Sequence, residues 1–154
     1  MRYTHTNINA KDWEKLAQFY IEVFDCRIVP PYRHLYGEWF EKASGIPGAE
    51  VYGVHIALPG YEENGPTLEI FTHTVKKGEA STEWNEQGFA HIAIHVDNVE
   101  ETYDKLLKNG GSSDGEIVKN YYSSMDKTLT MIYAKDPEGN CIEIQNWVEG
   151  NFAD

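Results

Sequence analysis

The sequence predicts an α+β fold in which two βαβββ modules follow one another and form a curved mixed sheet around a central cavity. Strand-like and helix-like spacings of apolar residues occur twice in the same order, and matching segments recur in the two halves. At 154 residues the chain suits one domain with a buried core. We therefore expect a single domain at 1–154, with a first module at 1–74, a linker at 75–87 and a second module at 88–150.

The first half contains one amphipathic segment between strand-like segments. The predicted elements are a strand at 2–8, a helix at 11–24, a short strand at 26–31, an irregular stretch at 32–50, and strands at 51–58 and 66–73. Apolar residues such as Leu16 and Val23 recur at three- and four-residue steps through the helix. We expect Pro30 and Pro31 to end the short strand. Asn64-Gly65 predicts a hairpin between the last two strands, because this dipeptide tolerates positive φ.

The second half repeats this order. The predicted elements are a strand at 89–96, a helix at 98–109, and strands at 129–135 and 140–148. Gly110 and Gly111 are typical of a helix C-terminus. Residues 136–139 predict a turn between the last two strands, since Pro137 pre-sets φ and Gly139 accepts positive φ.

The internal repeat identifies the residues of interest. Residues 5–14 align with residues 91–100 without a gap, and residues 63–70 align with residues 137–144. Self-similarity of this kind indicates a repeated supersecondary unit. Each half therefore runs from a histidine strand to a glutamate strand.

Strand alternation predicts where the histidines and glutamates of the repeat point. Glu69 and Glu143 are each flanked by aliphatic residues that would face the core, so both carboxylates project from the opposite side. His5 and His91 follow the same pattern, and His55, beside Glu69, is a weaker candidate for lining the cavity. If the halves pair about a pseudo-two-fold axis, the four repeated residues meet in one concave space between the sheets.

Two imidazoles and two carboxylates suit one divalent metal ion, which we expect to be Zn, Ni, Co, Mn or Fe. The predicted ligands are His5, Glu69, His91 and Glu143. Four protein ligands leave up to two octahedral positions for water or substrate. Open coordination positions indicate catalysis rather than a structural role.

Charge and composition exclude several partner classes. The net charge of −12 repels phosphate backbones and anionic lipid, so we expect neither a nucleic-acid nor a membrane partner. The sequence shows no secretory signal or apolar span, which predicts a cytoplasmic protein with Cys26 and Cys141 reduced. Arg2, Arg27 and Arg33 are its only arginines, leaving few candidates for a bidentate carboxylate clamp.

These residues resemble the vicinal oxygen chelate superfamily of glyoxalase I, methylmalonyl-CoA epimerase, extradiol dioxygenases and bleomycin-resistance proteins. The most specific segments are 67–70, 89–97 and 136–143, and the resemblance covers nearly the whole chain. The ligand pattern is similar to that of glyoxalase I-like and methylmalonyl-CoA epimerase-like members, although epimerases typically carry Gln at the position of Glu69. The resemblance implies a divalent metal, a small-molecule substrate and a homodimer.

The chemistry implied by the resemblance is that of a metal-dependent lyase or isomerase that stabilises an enediolate of a small carbonyl substrate. Glu143, and also Glu69, are the candidate catalytic bases. Two alternatives stay open. One is a non-haem Fe(II) extradiol-type dioxygenase that uses His5, His91 and Glu143. The other is a non-catalytic small-molecule-binding protein.

Overall fold

The computed structural model of the chain describes residues 1–61, 63–76, 78 and 87–153. The chain forms two compact units, 1–79 and 80–154. Most of the predicted linker at 75–87 lies outside the described residues. The first unit contains β1 (His5–Asn9), α1 (Trp13–Phe24), β2 (Arg27–Leu35), α2 (Glu38–Ser44), β3 (Val51–Ala57) and β4 (Thr67–His73). The second contains β5 (His91–His95), α3 (Val99–Lys108), β6 (Ser112–Ser113), β7 (Val118–Tyr122), β8 (Lys127–Lys135) and β9 (Cys141–Glu149).

The described strands form two mixed sheets with the same internal order. The first sheet runs β1-β4-β3-β2, and the second runs β5-β9-β8-β6 with β7 also paired to β8. In each sheet the first strand of the unit lies parallel to the last, and the remaining pairs are antiparallel. The predicted α+β class and the repeated order of elements are confirmed.

Both long helices begin at an equivalent side-chain cap. The carboxylate of Asp12 accepts a hydrogen bond from the backbone N–H of Lys15 at 3.2 Å, which starts α1. The side chain of Asn98 accepts from the N–H of Glu101 at 3.0 Å and starts α3. The helices therefore begin one residue after these caps, at Trp13 and Val99.

The core of each unit is built from alternate strand residues. Ile56 and Ile70 are completely buried in the first unit, as are Ile142 and Ile144 in the second. Apart from the buried Phe71 and Cys141, residues on the other face of β4 and β9 are more accessible, which leaves room on that face for polar side chains. The predicted separation of an aliphatic face from a histidine and glutamate face is confirmed within each unit.

The prediction that Pro30 and Pro31 end the short strand is wrong, because β2 continues to Leu35. β2 lies at the edge of its sheet, where a missing N–H donor removes no ladder hydrogen bond on the open side. The pairing with β3 shifts between Val29 and Arg33, so the prolines occupy an irregular part of the ladder.

The prediction that 32–50 is irregular is also incomplete, because it contains α2. Gly37 and Gly45 flank this helix, each with positive φ. None of its residues is buried, so no apolar periodicity marks it in the sequence. Strands β6 and β7 were not predicted for a similar reason, since β6 has two residues and β7 is mostly exposed.

The two expected turns agree with the structure. Asn64 has φ of 72° in the β3–β4 hairpin, and Gly139 has φ of 92° in the β8–β9 turn. Cys26 and Cys141 are free and buried, and burial raises the pKa of the Cys26 thiol to about 12. Among the described residues, no helix has the length and apolar character needed to span a bilayer.

Candidate metal centre

Strand register brings three potential metal ligands of the first unit onto one face of its sheet. Glu69 on β4 pairs with Asn7 on β1 and with His55 on β3. His5 pairs with Thr67 and lies two residues before Asn7 on β1, so its side chain is on the same face as that of Asn7. Residues paired directly across strands project to the same side. The side chains of His5, His55 and Glu69 therefore share the face opposite the buried aliphatic residues.

We call His5, His55 and Glu69 the first-unit trio. The Nε2 atom of His5 lies 3.2 Å from Oε2 of Glu69, and Nε2 of His55 lies 2.9 Å from Oε1. One potential ligand atom from each residue lies within 4.8 Å of the other two. Two imidazole nitrogens and a carboxylate form a ligand set suited to divalent transition metals. The trio can therefore hold a metal ion.

His55 is fixed on more than one side. Its Nδ1 atom lies 3.1 Å from the hydroxyl oxygen of Thr67, and its ring packs edge-on against Phe71. Burial lowers the pKa of His55, and the charges of Arg33 and His5 lower it further, while Glu69 opposes the shift. A lowered pKa favours the neutral imidazole, which is the form that binds metal.

Close packing behind His55 requires a glycine. A Cβ atom at Gly53 would collide with the carbonyl oxygen of Ile70 and with the ring of Phe71. Because position 53 has no side chain, the Phe71 ring can lie against β3 and contact His55. Gly53 thus supports the position of His55 from within the sheet.

The second unit repeats the histidine and glutamate contact. The Nε2 atom of His91 lies 3.1 Å from Oε2 of Glu143, and the Glu143 side chain is 14% exposed, similar to the 15% of Glu69. His91 pairs with Cys141 on β9, just as His5 pairs with Thr67 on β4. We call His91 and Glu143 the second-unit pair.

Tyr133 takes the place in the second unit that His55 has in the first. It pairs directly with Glu143, and its ring centroid lies 5.2 Å from that of His91. Burial raises the pKa of Tyr133, and the charge of Glu143 and a hydrogen bond to it raise the pKa further. The phenol therefore keeps its proton and donates to the carboxylate, which leaves His91 and Glu143 as the groups of these three that could bind a metal.

The four sequence-predicted ligands thus occur as one histidine and glutamate contact in each unit. Their joint action on a single ion stays a prediction. From the sequence, His55 is expected only to line a cavity, and its contact with Glu69 is not predicted. Counting residues outward from Asn64-Gly65 as a tight turn would have placed position 60, not position 55, opposite position 69, because the loop between β3 and β4 is longer than such a turn.

A cavity of about 560 Å³ opens beside the trio within the first unit. His55 and Thr67 form part of its wall, and Arg2 and Arg27 also line it. Cavities of about 300–1,000 Å³ are typical of small-molecule sites. The first unit therefore combines potential metal ligands with space for a small molecule.

Comparison with known proteins connects this arrangement to one family. Residues 2–144 match the model of the Glyoxalase/Bleomycin resistance protein/Dioxygenase superfamily. The chain is 25% identical over 147 residues to a lactoylglutathione lyase of Escherichia coli O157:H7, covering 94% of this chain and 91% of that protein. It is also 25% identical over 142 residues to a probable lactoylglutathione lyase of Synechocystis, covering 91% of each.

Solved structures share the fold at lower identity. A glyoxalase family protein from Bacillus cereus superposes with a TM-score of 0.73 at 18% identity, covering 96% of this chain and 93% of that one. A trypanothione-dependent glyoxalase I from Leishmania major gives a TM-score of 0.61 at 22% identity, covering 95% and 86%. Both similarities concern the fold.

Proposed function

We propose that this chain, which belongs to the Glyoxalase/Bleomycin resistance protein/Dioxygenase superfamily, is a metal-dependent lyase or isomerase that acts on a small carbonyl compound. The observation that carries the proposal is the repeated contact between an imidazole and a poorly exposed carboxylate, at 3.2 Å in the first unit and 3.1 Å in the second. The proposed metal ligands are His5, Glu69, His91 and Glu143. Zn, Ni, Co, Mn and Fe all suit this donor set.

The proposed reaction is proton removal from a carbon next to a carbonyl. A divalent ion bound by these residues would polarise the carbonyl and offset the charge that develops on its oxygen. Glu143 is the proposed base, with Glu69 as the second candidate. Neighbouring side chains orient each carboxylate, since His5 and His55 contact Glu69 while His91 and Tyr133 contact Glu143. Low exposure limits competition from water.

The names of the relatives indicate a first substrate to test. Lactoylglutathione lyases align with this chain over 94% of its length. Lactoylglutathione is a thioester with a hydroxyl on the carbon next to its carbonyl, which is the kind of carbon acid that the proposed reaction needs. Its formation and cleavage should be measured together with proton exchange in other α-hydroxy carbonyl compounds.

The proposal is tested by metal analysis combined with proton exchange. The purified chain should contain about one divalent ion, and Glu69→Ala and Glu143→Ala should each lose most of it. Solvent deuterium should enter the substrate carbon next to the carbonyl only with metal-loaded wild-type protein. Mass spectrometry measures the ion and proton NMR measures the exchange.

A matched control is available in the first unit. Glu50 also contacts a histidine, with its Oε1 atom 2.7 Å from Nε2 of His34, but it lies outside the trio. Glu50→Ala should therefore leave metal content and exchange unchanged. Metal retained in both Glu69→Ala and Glu143→Ala, or metal-loaded protein without any exchange, would overturn the proposal.

His91→Ala separates a four-ligand site from a site confined to the first unit. Loss of metal in this variant supports the assignment of all four ligands. Full retention, together with loss in His5→Ala, would restrict the ligands to the first-unit trio. The same two variants therefore decide how many residues bind the ion.

An Fe(II)-dependent oxygenase is the second candidate function. Two histidines and one carboxylate within 4.8 Å, as in the first-unit trio, have the composition of non-haem Fe(II) oxygenase sites. Oxygen consumption with a catechol by the Fe(II)-loaded protein would favour this candidate. Absence of oxygen consumption, with exchange supported by Zn, Ni or Co, would favour the lyase or isomerase.

We also propose, by analogy with the family, that the chain forms a homodimer. The mass of one chain is 17.6 kDa. Light scattering should therefore give twice this value, and a value equal to one chain would overturn the assignment.

A further inference from the structure

The arginines of this acidic chain are concentrated in one place. The chain has 25 acidic and 13 basic side chains, and its three arginines all lie in the first unit. Arg2 and Arg27 line the same cavity of about 560 Å³ beside the first-unit trio. Arg33 does not line this cavity, although its charge acts on His55. A strongly acidic protein thus places two guanidinium groups around one small-molecule-sized space.

Within the described part of the chain, neither arginine of the cavity, Arg2 or Arg27, forms an ion pair. Among the described residues that line the cavity, Glu63 is the acidic one. These described lining residues therefore carry two positive charges and one negative charge, whereas the whole chain carries −12. Such a cavity favours a negatively charged ligand.

The second unit has a lysine in the corresponding row of paired strand residues, and this lysine has an acidic partner. Arg27 on β2 pairs with Ala57, in the row that continues through Thr67 to His5. The row of the second unit that ends at His91 contains Lys135. The Nζ atom of Lys135 lies 3.2 Å from an oxygen of Asp114, so this cation already has an acidic partner. Among the described residues, the cation of this row has an acidic partner in the second unit and none in the first.

We propose that this cavity binds a small molecule carrying a carboxylate, and that Arg2 and Arg27 hold the carboxylate end. Guanidinium groups present paired N–H donors that match the two oxygens of a carboxylate. His55 and Thr67 line the same cavity, and His55 contacts Glu69, so the rest of the ligand lies toward the trio. The inference rests on the proposed function in taking this ligand as the substrate, and it adds that the substrate is an anion.

The test compares two probes that differ in charge. Glutarate carries two carboxylates, and glutaramide is its uncharged diamide of nearly equal size. Calorimetry on the whole 154-residue chain should show glutarate binding about tenfold or more tightly than glutaramide, as expected for charge-assisted hydrogen bonds. The measurement is repeated after treatment with a chelator, so that direct contact of the carboxylate with a metal cannot account for the preference.

Arginine variants locate the binding site. Arg2→Gln and Arg27→Gln should each reduce glutarate affinity by about fivefold or more, with little change for glutaramide. Arg33→Gln makes the same change in charge outside the cavity lining and should change glutarate affinity by less than about twofold. All three variants should keep the metal content of wild type, since none of these residues is a proposed ligand.

Three results would overturn the inference: equal affinity for the two probes, an equal loss in Arg33→Gln, or inorganic phosphate binding more tightly than glutarate. Failure of the proposed function looks different. A protein that prefers glutarate through Arg2 and Arg27 but shows neither metal nor proton exchange would keep the anion site and lose the lyase or isomerase assignment. A protein that exchanges protons without any preference for glutarate would keep the lyase or isomerase assignment and lose the anion site.

Discussion

The two units place a histidine and a glutamate in the same register but differ in the residue directly across from the glutamate. His55 faces Glu69 in the first unit, and Tyr133 faces Glu143 in the second. A histidine can bind metal in its neutral form, whereas the raised pKa of Tyr133 keeps its phenol protonated. The first unit therefore offers three metal-binding groups and the second offers two. Repetition of a backbone register does not require repetition of its chemistry.

The largest expected effect in this comparison comes from removing the residue across from each glutamate. His55→Phe should weaken metal binding by about 10–100-fold, the range seen when residues that support ligands are lost. Tyr133→Phe should weaken it by less than about tenfold, because it removes one hydrogen bond to Glu143 and no metal-binding group. Competition with a chelating dye measures both affinities.

These variants also sharpen the role of His55. A loss in His55→Phe as complete as that in Glu69→Ala would make His55 a ligand itself. Equal losses in His55→Phe and Tyr133→Phe would contradict the difference between the units. His55→Tyr, which gives the first unit the residue of the second, should behave like His55→Phe.

The next largest effect concerns the packing behind His55. Gly53→Ala should reduce the free energy of unfolding by about 1–3 kcal/mol, because the new methyl group overpacks the sheet against Phe71 and the Ile70 carbonyl. Urea unfolding measures the change. Gly115→Ala, in the second unit, is the matched control, since nothing lies within 4 Å of the added carbon. A Gly53→Ala variant as stable as Gly115→Ala would contradict the packing role.

The smallest expected effect compares the two helix caps. Asn98→Ala should lower the free energy of unfolding by about 1 kcal/mol through loss of the hydrogen bond to Glu101. Asp12→Ala should lower it further, because the Asp12 carboxylate is charged and also contacts the Lys15 ammonium at 2.7 Å. Thermal unfolding at neutral pH measures the difference.

The difference in stability between Asp12→Ala and Asn98→Ala should become smaller as the pH falls. A side-chain hydrogen bond and a backbone hydrogen bond from Lys15 lower the pKa of Asp12 below its ordinary value of 3.8. The charge-dependent part of its stabilisation is therefore present above pH 3.8 and is lost as pH falls through the lowered pKa. Asp12→Ala should approach Asn98→Ala in acid, and a constant difference would contradict this account.

Sequence reasoning recovered the features that depend on local pattern. Alternation identified the face that carries Glu69 and Glu143, and the gapless repeat identified the equivalence of His5 and His91. It did not recover α2, because a short helix without buried residues has no apolar period. It missed the contact of His55 with Glu69, because that contact depends on the pairing of two strands rather than on spacing within one.

The two prolines of β2 also bear on self-association. An exposed strand edge can template the addition of a strand from another copy, and prolines and charged side chains are common protections. Pro30 and Pro31 remove two N–H donors from this edge strand, and in an antiparallel approach centred near Pro30 the like charges of Arg27 and Arg33 from the two copies would lie opposite each other. Addition of another sheet at β2 is therefore disfavoured, and a homodimer of this chain should use a different surface.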